Sequence, residues 1–321
     1  VALAPVVISP AGASAAPTLG TAAAGAPRAL RTERILDRAT LAAWGVARPT
    51  RLAFDGEGAL YILDASRRRV VKVDPSGRFL HEVTLSGEEV APRAEPADVV
   101  VDARGSVLIL DRATASVLAY DKGGARVATH RFADDLREEA EDPRAALLLD
   151  AFGRLWLIAP RERDLVRLDA SLGRDRSGRF LTPEDSVAVP AAATTLPNGE
   201  TWIADAPAGR VRRFRASGAL APPVAAPDSV SEVVALAADR SGYIFAGDVI
   251  GQRILVYSPD GALVLDRALG GPSSPWRPFA VAWSPLGALA AADPERGEVQ
   301  MFSVERAPAP SGEPSTDRGS P

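Results

Sequence analysis

The sequence predicts an all-β fold, a six-bladed β-propeller, on three observations. Six glycines, Gly58, Gly105, Gly153, Gly199, Gly242 and Gly287, are spaced by 47, 48, 46, 43 and 45 residues. Each is followed six residues later, at the end of a short apolar run, by Asp64, Asp111, Ala159, Asp205, Asp248 or Asp293 respectively. The apolar pattern nowhere holds a helical period for long. A repeat of this length built from strands corresponds to a propeller of about four strands per blade.

The first copy, residues 49–83, shows the grammar. Leu52 and Phe54 belong to an innermost strand, 55–58 turn the chain, and 59–63 form the second strand. A loop over 64–68 leads to a third strand at 69–73. The run Asp74-Pro75-Ser76-Gly77 is a tight turn into an outer strand at 78–83, with proline presetting one backbone angle and glycine permitting another. Copies two to five repeat the pattern from residues 98, 145, 191 and 233. The sixth, from 279, stops after three strands. Its missing outer strand is expected from the start of the chain, because 34–39 (RILDRA) matches the fifth copy's outer run 264–268 (VLDRA). Such closure leaves no unpaired seam.

This divides the chain into a flexible Ala/Pro-rich N-terminal arm (1–32), the propeller (33–305) and a disordered C-terminal tail (306–321). The stretch at 1–8 is too short and too broken by Pro5 and Pro10 to span a bilayer, so no transmembrane segment is expected. Peripheral association through the arm is left open. A formal charge of −4 and a pI near 5.5 argue against nucleic acid as a partner. Cysteine is absent, which excludes disulfides, thiolate metal sites and a thiol nucleophile. The expected location is secreted or periplasmic, with a cytoplasmic one left open.

Asp64, Asp111, Asp205, Asp248 and Asp293 are read as structural latches. Each stands where the second strand leaves its sheet, placed to accept N–H bonds from the next turn or to pair with a basic side chain. Arg69, Arg210 and Arg253 each follow such an aspartate by five residues. The run PTRLAFDGEGALYILDASRRRVVKV, with its glycine turn, terminal aspartate and Arg-apolar strand, resembles the NHL-repeat family of six-bladed propellers over about 33–305. Copy three departs at Ala159, and copy six has Glu298 where the arginine is expected. The resemblance implies a recognition scaffold in many relatives and an enzyme in a minority. In metal-dependent relatives and lookalikes, such as lactone hydrolases and the lyases of peptide amidation, it implies carboxylate, asparagine or histidine ligands around the central channel.

This chain has two histidines, His81 and His130, both expected on outer strands, and one asparagine, Asn198, in a turn. No metal site and no cofactor is therefore expected, and no catalytic residue stands out. The acidic stretch 133–142 reads as a solvated short helix. Candidate partner-binding residues are Arg67, Arg68, Arg112, Arg161, Arg163, Trp276 and Arg277, on loops expected to share one face, with Glu88, Glu89 and 133–142 adding acidic sectors. Trp156 and Trp202 are assigned to blade packing. The expected function is a noncatalytic protein-recognition or assembly scaffold rather than an enzyme, with a place as a subunit of an extracytoplasmic complex left open. The alternatives are a metal-dependent hydrolase or lyase with its site in the channel, and a carbohydrate-binding module.

Overall fold

A computed structural model describes residues 25–85, 94–102, 104–175, 187–206, 209–227, 231–271 and 273–308. The remaining residues, with most of the expected arm and tail and with Glu88 and Glu89, lie outside the described residues. Six antiparallel sheets follow one another along the chain. Their first strands are Arg51–Phe54, Pro96–Val101, Ala146–Leu149, Pro190–Thr195, Val233–Ala238 and Ala280–Trp283. Each lies against the first strands of its two neighbours, the last against the first, so the ring closes around an axis. We number the sheets blades 1 to 6 in this order. The architecture is the six-bladed propeller that the glycine spacing predicts.

The second strand of each blade is sandwiched between neighbouring blades, which explains its continuous apolar run. In blades 1 to 5 these strands, Leu60–Asp64, Val107–Asp111, Leu155–Ala159, Thr201–Asp205 and Ile244–Asp248, are buried at every residue. Six hydrophobic clusters result, one at each blade interface. Trp202 is fully buried in the cluster between blades 4 and 5, and Trp156 in that between blades 3 and 4 donates its indole N–H to Asp150 at 2.9 Å. Each buried aliphatic side chain of this kind contributes about 1.5–3 kcal/mol.

The turn between first and second strands is held by a second recurrent carboxylate, three residues before the repeat glycine. Asp55 accepts from the Glu57 and Ala59 N–H groups, and Asp102, Asp150 and Asp239 do the same in their blades. Gly58 itself adopts φ of 84°, a left-handed conformation suited to glycine.

Pro27–Leu36 closes the ring as the outer strand of blade 6. It runs antiparallel to Glu298–Arg306, with Leu36 opposite Val299 and Thr32 opposite Phe302. Thus the boundary expected at residue 33 falls inside this strand, and the one at 305 falls a residue before its partner's end. The strand stops before Arg38 and Ala39 because Asp37 caps the helix Arg38–Ala43, accepting from the Thr40 N–H at 2.8 Å. Blades 3 and 4 have three strands each among the described residues. In blade 4 the outer run starts with one bridge, Phe214 to Leu220, and then meets Pro222 and Pro223, which cannot donate to a ladder.

The acidic stretch forms the short helix expected of it but is solvated on one side only, with Asp134, Asp135, Arg137, Glu138 and Glu141 exposed. Asp134–Leu136 forms a 3-10 turn and Arg137–Ala140 a short helix, with Leu136 and Ala140 in the core between blades 2 and 3. No helix among the described residues is long and apolar enough to cross a membrane.

Candidate active site at the channel mouth

Every latch aspartate accepts an N–H from the segment that enters its own blade. The donors are Ala47 and Arg48 for Asp64, Glu95 for Asp111, Val189 for Asp205, Glu232 for Asp248 and Arg277 for Asp293. Asp64 also accepts from the Ser66 hydroxyl and the Arg67 N–H, and Asp248 pairs with Arg253 at 2.8 Å. Burial works to raise the pKa of Asp64 and Asp248, but these donors outweigh it and hold both carboxyls below the ordinary value.

Blade 3 has Ala159 at this position, and Glu139 of the acidic insertion stands in. Its carboxylate accepts from the Arg161 and Glu162 N–H groups at 3.1 and 3.0 Å. Burial is the main cause that pushes its carboxyl up, with the charges of Glu162 and Asp142 adding to it. This substitution was not legible beforehand, because the insertion joins blade 3 only through the fold.

The first strands tell a different story. Seven residues before the repeat glycines, at the axial mouth on the latch side, stand Arg51, Asp98, Ala146, Ala192, Ala235 and Ala280. The strand registers place each opposite the residue preceding the latch position: Leu63, Leu110, Ile158, Ala204, Gly247 and Ala292. Four alanines leave space, and Arg51 and Asp98 supply charge. They border a cavity of about 290 Å³ that descends past Leu52, Val99, Leu147 and Val281 to Phe54 and Trp283.

Asp98 is only 7% exposed. Its Oδ1 accepts from the Val99 N–H at 2.8 Å and its Oδ2 from the Leu147 N–H of blade 3 at 2.9 Å. Arg51 Nε lies 3.6 Å from Oδ1, while Nη1 donates to the Thr50 carbonyl at 2.9 Å. Burial raises the Asp98 carboxyl above its ordinary value; Arg51 and the two amides oppose the rise without cancelling it. A perturbed carboxyl beside a guanidinium in a concave site can move a proton and stabilise an oxyanion. Neither residue stands out in the sequence, where Asp98 reads as one more strand residue. Aligning the copies on their glycines would have exposed both as departures from alanine.

The partner-binding candidates lie at the rim. Arg67 Nη1 donates to the Gly45 carbonyl, Arg112 Nη1 to the Pro143 carbonyl, and Arg161 pairs with Glu138 at 2.8 Å. Arg68 and Arg163 occupy left-handed turn positions at φ of 54° and 58°. Arg277 pairs with Glu295 at 2.8 Å. Trp276 is 2% exposed and donates its indole N–H to Glu298, so its ring packs inside the fold between blades 5 and 6. None of these residues lines the channel cavity.

The channel does not fit a divalent ion. Asp98 is the one carboxylate among the lining residues, the Arg51 cation stands beside it, and alanine offers no ligand at four of the six ring positions. Among the described residues no group of three histidine, aspartate or glutamate side chains could hold a metal. His81 and His130 lie on the outer strands Phe79–Thr84 and Arg126–Arg131.

Fold and site together define a six-bladed propeller with a cavity on its axis. The sequence matches no family model and no curated protein. Among solved structures, the chain is similar to a streptogramin B lyase at 11% identity and a TM-score of 0.55, over 81% of this chain and 94% of that one. It is similar to virginiamycin B lyase from Staphylococcus aureus at 12% identity and a TM-score of 0.56, over 86% of this chain and 100% of that one. A third likeness is to a proposed gluconolactonase, at 16% identity and a TM-score of 0.58, over 88% of this chain and 94% of that one.

These identities establish a shared fold, and they correct two expectations. The solved structures named above are two lyases and a proposed gluconolactonase, which overturns the expectation of a noncatalytic recognition scaffold and not an enzyme. The narrower assignment to NHL repeats and protein–protein interaction gives way as well. The chain is a six-bladed propeller distantly like those of streptogramin-lyase and gluconolactonase type.

Proposed function

We propose that the protein is a hydrolase or lyase that acts without a metal, with its active site at the Arg51–Asp98 mouth of the channel. The observation that carries this reading is the pair itself: two charged side chains at axial positions where the other four blades have alanine. Asp98 serves as general base, taking a proton from a water molecule or from a substrate carbon next to a carbonyl. Each of its oxygens keeps a lone pair beyond the one used by an amide. Its burial favours the protonated form and so brings its basicity nearer to the working range of a general base. Arg51 faces the same space and stabilises negative charge that grows on the substrate oxygen.

The likeness to lyases and to a proposed gluconolactonase supports this class of chemistry over passive recognition. The test is a panel of esters, lactones and cyclic depsipeptides, assayed with and without a strong chelator. Turnover of at least one substrate, unchanged by chelation, is the expected result. Failure on the whole panel would contradict the enzyme reading. Activity abolished by chelation and restored by a divalent ion would contradict the metal-independent chemistry.

A further inference from the structure

Along each first strand, backbone N–H groups point alternately toward the second strand and toward the axis. The N–H groups of Asp55, Asp102, Asp150, Leu196, Asp239 and Ser284 donate across their hairpins to the carbonyls four residues on. Those three residues earlier, on Leu52, Val99, Leu147, Ala193, Leu236 and Val281, therefore face the axis. All six of these residues line the cavity, one layer below the mouth.

Asp98 already shows how this layer holds a carboxylate. It bridges two neighbouring members of the collar, the Val99 and Leu147 amides, at 2.8 and 2.9 Å. Among the described residues no side chain accepts from the amides of Leu52, Ala193, Leu236 or Val281. Ala192, Ala235 and Ala280 leave open the slots between successive amides that Asp98 fills in blade 2. Arg51 Nη2 likewise has no partner among the described residues, while Nη1 and Nε face Thr50 and Asp98.

We propose that the collar is a carboxylate-binding site that selects small monocarboxylates with an apolar body. This rests on reading the Arg51–Asp98 mouth as the active site. The ligand's carboxylate takes two free amides as Asp98 does, with Arg51 supplying the countercharge. Its apolar body descends between Leu52, Leu147 and Val281 toward Phe54 and Trp283.

The test is calorimetric titration of the full chain with hexanoate, hexanamide and 1-hexanol, which share a body and differ in the head group. Hexanoate should bind at least about tenfold more tightly than either neutral analogue, the magnitude of a charge-assisted contact. Arg51→Gln should remove that preference. Asp98→Ala should raise hexanoate affinity severalfold by opening a further slot, and Asp98→Asn, which keeps the shape, should raise it less. Equal affinity for the three compounds, or no binding of any, would overturn the proposal, as would an unchanged preference in a folded Arg51→Gln protein. Turnover on the substrate panel without hexanoate binding would sink the collar and leave the enzyme reading standing. Hexanoate binding with no turnover would do the reverse.

Discussion

Two rings of six equivalent positions lie side by side on one face of the propeller and are built on opposite rules. The latch ring is uniform in chemistry: five aspartates, and in blade 3 a glutamate from elsewhere in the chain that restores a carboxylate where Ala159 has none. The axial ring is uniform in its absence of chemistry, with four alanines, and is broken only by Arg51 and Asp98. Where a carboxylate fastens a blade, its loss in one copy is repaired. Where the ring is bare, Asp98 ties the Val99 amide of its own blade to the Leu147 amide of blade 3, a tie that four blades do without. Burial of Asp98 raises its pKa against the opposing charge of Arg51, whereas the donors around Asp64 and Asp248 lower theirs.

The comparison can be broken most forcefully at blade 5. Asp248→Ala leaves the Glu232 and Gly251 N–H groups without their acceptor and deprives the largely buried Arg253 of one of its two carboxylates. A loss of about 3 kcal/mol is expected in denaturant unfolding. Glu139→Ala should cost less, about 1–2 kcal/mol, since its burial already opposes the charge. Adding Ala159→Asp to Glu139→Ala should recover stability by rebuilding the latch in place, whereas Ala159→Asp alone sets two carboxylates side by side and should destabilise. Failure of the double variant to exceed Glu139→Ala would refute the stand-in role.

Acid separates the two kinds of latch. The folded pKa of Asp64 and Asp248 is lowered, so their contribution is present above the unfolded value, near about 3.9, and is lost as pH falls through the folded one. The folded pKa of Glu139 is raised, so its share of stability increases as pH falls through that value toward the unfolded one, near about 4.3. Glu139→Gln, which mimics the protonated form, should differ most from the parent in melting curves above the Glu139 titration, and the two should converge as pH falls through it. A gap that widens in favour of the variant on acidification would have the wrong sign. The smallest stability effect is expected at the axis: Asp98→Ala should stay within about 1 kcal/mol of the parent, because relief of a buried charge offsets two lost hydrogen bonds.

Much of the fold was legible because blades repeat. The glycine at the first turn, the buried second strand and the pairing of residues 34–36 with the final strand all follow from local patterns at a fixed spacing. The site was not legible in the same way. The signals sought were histidines, paired carboxylates and known motifs, and the axial pair is none of these. Its meaning comes from register: Arg51 and Asp98 are 47 residues apart in sequence, yet stand in adjacent blades at the same height. Trp276 shows the converse. Framed by Pro275 and Pro278 it reads as a surface anchor, but Glu298 draws its indole into the blade 5–6 interface.

The most direct measurement is kcat for Asp98→Asn, on the best substrate from the panel, beside the melting temperature of the same preparation. The account predicts that kcat falls at least about 100-fold, the contribution of a positioned general base, while the melting temperature barely moves. A folded Asp98→Asn protein with kcat within about twofold of the parent, well inside the loss expected for a general base, would contradict it.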